Sequence, residues 1–318
     1  MDGRDSCTLV VRKPCFGLPT ACPSCLPAYI YLKFAQIPFQ LDFNLTYPDS
    51  DQIPYFEAGD YVAYQNENGG VVECLKRDGI VDLDTEFYSL PEWISTKVMV
   101  SSWLAEALIY ELWLGTDVSS AQKIYCSDLP FPIGKALFLK QVHSVKQQLG
   151  ITRDNAELKE EEIYRRADIA YGALSTRLGE QNYLDSSPSS LDAIFLAHAL
   201  ITLQALPETS VLRGKLLQYD NLVRYADKLK TELIEAGSSL ASAPHFQSDS
   251  SASTPRRGPS NSKTKNKPKG QKTEEEKTFK RRARYFVAAQ LVSLFLFLSF
   301  LGGVNDAEVE LDDNGYDD

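Results

Sequence analysis

Apolar positions along this chain repeat with two different periods, and the change falls near residue 80. Residues 8–12 (TLVVR) form a β-branched run and predict a strand. A loop containing Pro14, Gly17 and Pro19 follows. Over 23–36, Leu26, Tyr29/Ile30 and Lys33/Phe34 recur at helical spacing. Phe39, Leu41 and Phe43 alternate with polar residues, a second strand. Residues 53–56 open a third, residues 61–64 a fourth, and Gly59-Asp60 supplies the turn between them. Residues 70–77 read as a helix ending at Gly79. The predicted order is strand–helix–strand, then strand–strand–helix.

From 81 to 236 the pattern is helical throughout. Residues 93–114 are apolar over a broad face. Phe138, Val142, Val145 and Leu149 step by helical intervals, as do Ile163, Ala167, Ala170, Leu174 and Leu178. A fourth helix carries Leu191, Ile194/Phe195, His198 and Thr202, and a fifth carries Leu222, Ala226, Leu229 and Leu233. Ser189 and Asp192, three apart at the start of the fourth, form a capping-box pattern, in which each side chain serves the other's free backbone N–H. In the first unit, Pro54 stands at the head of the third strand. Proline cannot donate to a central ladder. A cis X-Pro bond at this place is the mark of thioredoxin-like folds, so Ile53–Pro54 is expected to be cis.

Beyond residue 236 the pattern changes twice more. Residues 237–273 are rich in Ser, Pro, Gly and Lys, and such a stretch buries too little apolar surface to offset its ordering entropy. Residues 237–276 are therefore expected to be a flexible linker with a reach of about 35 Å. Residues 285–304 (YFVAAQLVSLFLFLSFLGGV) carry no charge and are apolar all round. Twenty residues at about 1.5 Å each span about 30 Å, the thickness of a hydrocarbon core. They predict one C-terminal transmembrane helix, with its basic flank over 277–304 and an acidic tail over 305–318.

Charge sets the orientation. The formal net charge is −10, but residues 256–284 hold twelve Lys/Arg against three Glu, and residues 305–318 hold seven Asp/Glu and no Lys/Arg. Positive flanks stay on the cytosolic side, so the body is expected to face the cytosol. The body itself is acidic, which argues against nucleic-acid binding. No secretory signal is apparent at the start, where Asp2, Arg4, Asp5, Arg12 and Lys13 interrupt any apolar core. The membrane is that of mitochondria, the endoplasmic reticulum or another organelle on charge grounds alone.

The sharpest chemical pattern is Cys22-Pro-Ser-Cys25, between the first strand and the first helix. A thiol there has its thiolate favoured by free backbone N–H groups and the helix dipole. Cys22 would attack and Cys25 resolve. Leu26 and Pro27 stand where redox enzymes of this pattern often carry a cation. The six cysteines are too few for a disulfide scaffold, and reduced thiols are the default. A lone CxxC offers two ligands, so no metal is expected. His143 and His198 are isolated and read as packing or surface residues.

A thioredoxin-like domain (1–80) followed by an all-helical domain (81–236) resembles the glutathione-transferase architecture, an α+β fold. The Ser189–Asp192 helix start is similar to that family's capping motif. The glutathione positions look degenerate: Pro54 is retained, but Glu67-Asn68 stand where the family has an acidic or amide residue followed by Ser. The chain resembles the metaxins more closely, and the plant type in particular. The stretches that carry this are LPTACPSCLPAYIYLKFAQIPF (18–39), IPYFEAGDYVAY (53–64), YGALSTRLGEQNYL (171–184), PSSLDA (188–193) and NLVRYADKL (221–229). That resemblance implies a non-enzymatic subunit of the mitochondrial outer-membrane import and β-barrel assembly machinery. Its implied partners are the barrel subunit of the sorting machinery, subunits of the general import pore and β-barrel precursors, with no cofactor. The alternative is a membrane-anchored glutaredoxin-like or glutathione-dependent thiol oxidoreductase using Cys22 and Cys25.

Overall fold

Four strands make one sheet in the order β2-β1-β3-β4, with β1 at Thr8–Val11, β2 at Gln40–Phe43, β3 at Tyr55–Ala58 and β4 at Tyr61–Tyr64. In this computed structural model the described residues are 7–43, 52–130 and 132–235. The expected linker 237–276, the span within 277–304 and the tail 305–318 therefore lie outside the described residues. Among the described residues no helix is long and apolar enough to cross a membrane.

β1 runs parallel to β2 and antiparallel to β3, and β3 pairs antiparallel with β4. Leu41, Leu9, Phe56 and Ala63 lie in register across all four strands and share one face. β1 is interior and buried on both faces, which is why it reads as an unbroken apolar run rather than an alternation. Helix α1 (Cys25–Phe34) buries eight of its ten residues, so it lacks the polar face of a surface helix. It packs against α8 (Ser190–Gln204), an Ala/Leu-rich helix equally buried all round. Helix α2 (Val71–Arg77) follows β4 and ends at Gly79, whose φ of +68° reverses the chain at low cost.

The helical part begins with α3 (Pro91–Met99), which runs through a π-helical turn at Val100–Leu104 into α4 (Ala105–Leu114). Ser101 and Ser102 hydroxyls donate to the carbonyls of Lys97 and Val98, 2.8 and 2.6 Å away. Such back-bonding competes with the regular ladder and accompanies the wide turn. The expected helix over 93–114 is thus continuous but not uniform. Two short helices escape the apolar period: α5 (Ser119–Tyr125) and, after α6 (Ile133–Gln148), α7 (Ala156–Leu178) and α8, α9 (Val211–Leu216). Each has too few turns to repeat a stripe. Helix α10 (Asp220–Lys230) lays Leu222, Tyr225, Ala226 and Leu229 on the core.

All described residues belong to one compact unit, and one hydrophobic core runs through the sheet and the helices. A polar clasp ties the two parts. Asp84, in the segment joining them, is fully buried and accepts the Ser190 N–H at the start of α8, 2.8 Å away, and the Ser190 hydroxyl. Lys76 of α2 pairs with Asp84 at 2.6 Å and with Glu73 at 2.8 Å, and Lys97 of α3 reaches Glu73 at 3.0 Å. One residue before Ser190, at the N-cap of α8, the capping box is formed. Asp192 accepts from the Ser189 N–H at 3.1 Å, and Ser189 Oγ accepts from the Asp192 N–H at 3.5 Å. Leu184 N–H and Tyr225 O–H also donate to Asp192.

Candidate functional site

The CxxC pair sits where the end of β1 meets the start of α1. The Cys22 carbonyl accepts from the N–H groups of Cys25 (3.1 Å) and Leu26 (3.0 Å), which begins the helix. The Cys22 N–H donates to Thr20 Oγ1 at 3.3 Å. The Cys22 thiol is lowered to about 5, first by the hydrogen bond from the Cys25 thiol. Burial opposes the shift; the Arg12 guanidinium and the Ser24 and Cys25 N–H groups reinforce it. The Cys25 thiol is pushed up, first by burial and then by its bond to Cys22. An asymmetric pair of this kind is the electronic arrangement of a thiol–disulfide exchanger.

Where the positive charge comes from differs from the sequence reading. The residues after the pair offer none. Arg12, the first residue past β1, supplies it from the strand side and lies 8% exposed. Access differs too. Cys22 and Cys25 are 2% and 0% exposed. Tyr125, at the end of α5, places its hydroxyl 3.8 Å from Cys22 Sγ, and the Arg12 guanidinium stacks 4.8 Å from the centre of its ring. Thiol exchange needs a disulfide sulfur in line with the attacking thiolate. That approach is closed while α5 stays in place.

The Ile53–Pro54 bond is cis, immediately before β3. The Val10–Tyr55 pair of β1 and β3, one step beyond which Pro54 falls, sets it near the end of β1. The glutathione-type positions Glu67 and Asn68 fall just ahead of α2. Glu67 and Asn68 are exposed loop residues, and α2 opens only at Val71, with Gly70 before it. Gly70 has φ +100°, and a Cβ there would lie 2.8 Å from Gln65 Nε2 and 2.9 Å from Gln65 Oε1. Gln65 Oε1 itself accepts from the Val71 N–H at 3.5 Å. One of the N–H groups that this helix start would offer to a carboxylate faces the chain's own amide instead.

His143 lies exposed on α6, and His198 is buried in α8 with its Nε2 2.7 Å from the Tyr171 hydroxyl. Burial lowers His198 to about 3, so it is neutral at physiological pH. Among the described residues no group of three or more His, Cys, Asp or Glu is placed to hold a metal ion. Sequence reasoning missed Arg12, Tyr125 and Gln65. Only Arg12 left a trace, as a cation closing a β-branched run.

A four-stranded thioredoxin-type sheet followed by a helical part, with a cis proline before β3 and a capped central helix, defines the glutathione-transferase-like class. The chain matches the models described as Glutathione S-transferase N-terminal domain over residues 23–118 and Glutathione S-transferase, C-terminal domain over residues 167–229. It is 58% identical over 307 residues to the Arabidopsis thaliana "Mitochondrial outer membrane import complex protein METAXIN", covering 96% of each chain. It is 23% identical to Xenopus laevis Metaxin-3, over 71% of this chain and 77% of that one. Homo sapiens Metaxin-1 is 24% identical over 66% of this chain and 47% of its own. The chain belongs to the metaxin family.

Proposed function

We propose that this protein is a non-enzymatic subunit of the mitochondrial outer-membrane protein import and β-barrel sorting and assembly machinery. It binds precursors and partner subunits on the cytosolic face. The observation that carries this reading is the 58% identity, end to end, with a plant protein named for the import complex. Two features support a role without small-molecule catalysis: Gln65 at the opening of α2 and Tyr125 over Cys22. The domains we assign are a thioredoxin-like 1–80, a helical 81–236, a linker 237–276, a basic flank and membrane anchor 277–304, and an acidic tail 305–318 in the intermembrane space. The partners we assign are the barrel subunit of the sorting machinery, general import pore subunits and β-barrel precursors.

Affinity purification of the tagged full chain from mildly solubilised mitochondria tests this. Barrel and pore subunits are expected in the eluate, and their absence overturns the assignment. A fluorescent fusion of 1–318 should mark mitochondria, whereas 1–276 should be released to the cytosol. A second reading, a tethered thiol oxidoreductase, is favoured by the lowered Cys22 thiol. It requires that Cys22→Ser abolish function in cells; full complementation by that variant removes it.

A further inference from the structure

Helices α5 and α6 and the turn between them line an open cavity of about 610 Å³. Ligand sites usually measure about 300–1,000 Å³ and are apolar with a few placed polar groups. Leu129, Phe138 and Leu139 form its apolar wall, and Cys126 lies among them. Gly134 lets α6 start close to the turn after α5, because a Cβ there would already meet Leu129 at 3.3 Å. Leu139 and the neighbouring Ile133 remain 45% and 52% exposed, so the wall and its rim offer solvent-facing apolar surface that a ligand would cover.

The polar part of the lining has one sign. Lys123 and Lys135 line the cavity, and among the described residues neither forms an ion pair. Lys123 is held in place by the Phe16 ring, with its ammonium 4.2 Å from the ring centre. The nearby Asp128 carboxylate is taken up by Lys13. An apolar wall beside two unneutralised ammonium groups matches a molecule with an apolar chain and an anionic end. The geometry points to this cavity as a binding site for an acyl amphiphile with an anionic head, whether a free long-chain carboxylate or an anionic lipid. The cation set distinguishes it from a general hydrophobic crevice, which would accept amphiphiles of any charge.

Cys126 provides the readout, because an occupant shields it. The full chain is placed in phosphatidylcholine nanodiscs, and iodoacetamide modification is followed residue by residue by mass spectrometry. Dodecanoate at about four times its Kd should slow modification of Cys126 about five-fold, as expected for single-site occupancy, and leave Cys7 unchanged. Dodecyltrimethylammonium should not protect. Lys123→Glu/Lys135→Glu should raise the half-protecting dodecanoate concentration about ten-fold or more, since each reversed contact is worth of order 1 kcal/mol. Leu139→Arg, which leaves both lysines in place, should weaken protection by blocking the apolar end. Discs containing phosphatidylglycerol, with no dodecanoate added, identify the source: protection there assigns a membrane lipid, and protection by dodecanoate alone assigns a free acid. Absence of protection by either anion, equal protection by the cation, or protection that survives the double lysine variant overturns the proposal.

Discussion

Asp84→Ala is expected to destabilise the body by about 4 kcal/mol. Asp84 is fully buried and Lys76, its partner at 2.6 Å, has a side chain only 3% exposed. Removing one member of such a pair leaves a buried charge and costs about 3–5 kcal/mol. Lys76 keeps Glu73 at 2.8 Å, which sets this part at the low end, about 3 kcal/mol. The Ser190 N–H at the start of α8 loses its acceptor, which adds about 1 kcal/mol. Urea unfolding followed by tryptophan fluorescence reads the sum. With m about 3 kcal/mol/M, the midpoint should fall by about 1.3 M. A cycle with Lys76→Met separates pairing from packing: the double variant should be less damaged than the two single losses added, by about 2 kcal/mol. A loss below about 1 kcal/mol for Asp84→Ala, or strict additivity, would refute the clasp as an energetic link. The pH dependence has a fixed sign. Burial alone would raise the Asp84 carboxyl, but hydrogen bonds from Lys76 and Ser190 outweigh it and hold it below the usual range. Its contribution is therefore complete above the unfolded value of about 3.9 and is lost as pH falls through the lower folded value.

Asp192 should show the opposite sign: burial pushes it up to about 6 despite its four hydrogen bonds. Stability linked to its proton is full below about pH 3.9 and is lost by about pH 6, a loss of about 2–3 kcal/mol that Asp192→Asn should lack in unfolding scans at pH 4 and 6.5. Tyr125→Ala should speed alkylation of Cys22 at pH 7 by about ten-fold or more, because the lowered thiol is already ionised and access limits it; an unchanged rate shows that Tyr125 is not the cover. Gly70→Ala should cost about 1–3 kcal/mol in thermal unfolding, from its positive φ and the crowded Gln65 amide. Adding Gln65→Ala should recover the steric share only.

Features carried by local chemistry were legible in the chain. The Ser189–Asp192 box follows from two residues three positions apart, and the cis Ile53–Pro54 bond from the place of a proline at the head of the third strand in a thioredoxin-like order. Long stripes such as Ile163–Ala167–Ala170–Leu174–Leu178 survive because a helix of about six turns averages out exceptions. What escaped was set by distance or brevity. Tyr125 meets Cys22 from 103 positions away, and nothing near either residue announces the other. The clasp joins Lys76 and Asp84 to Ser190 across more than a hundred positions, and each reads alone as an ordinary polar residue. The helix after β4 follows from its own apolar residues, and Glu67 and Asn68 lie in the loop that precedes it.

Gln65 at the mouth of α2 has a consequence for how the protein answers its surroundings. A group tethered one loop away competes at an effective concentration in the millimolar range or above, whatever the solution contains. A ligand that binds the folded form stabilises it in proportion to the logarithm of its concentration. Where the chain's own amide takes that place, swings in the cell's thiol pool exert no such leverage there. The shape of this corner is then set by the chain itself rather than by how much competing anion the solution holds.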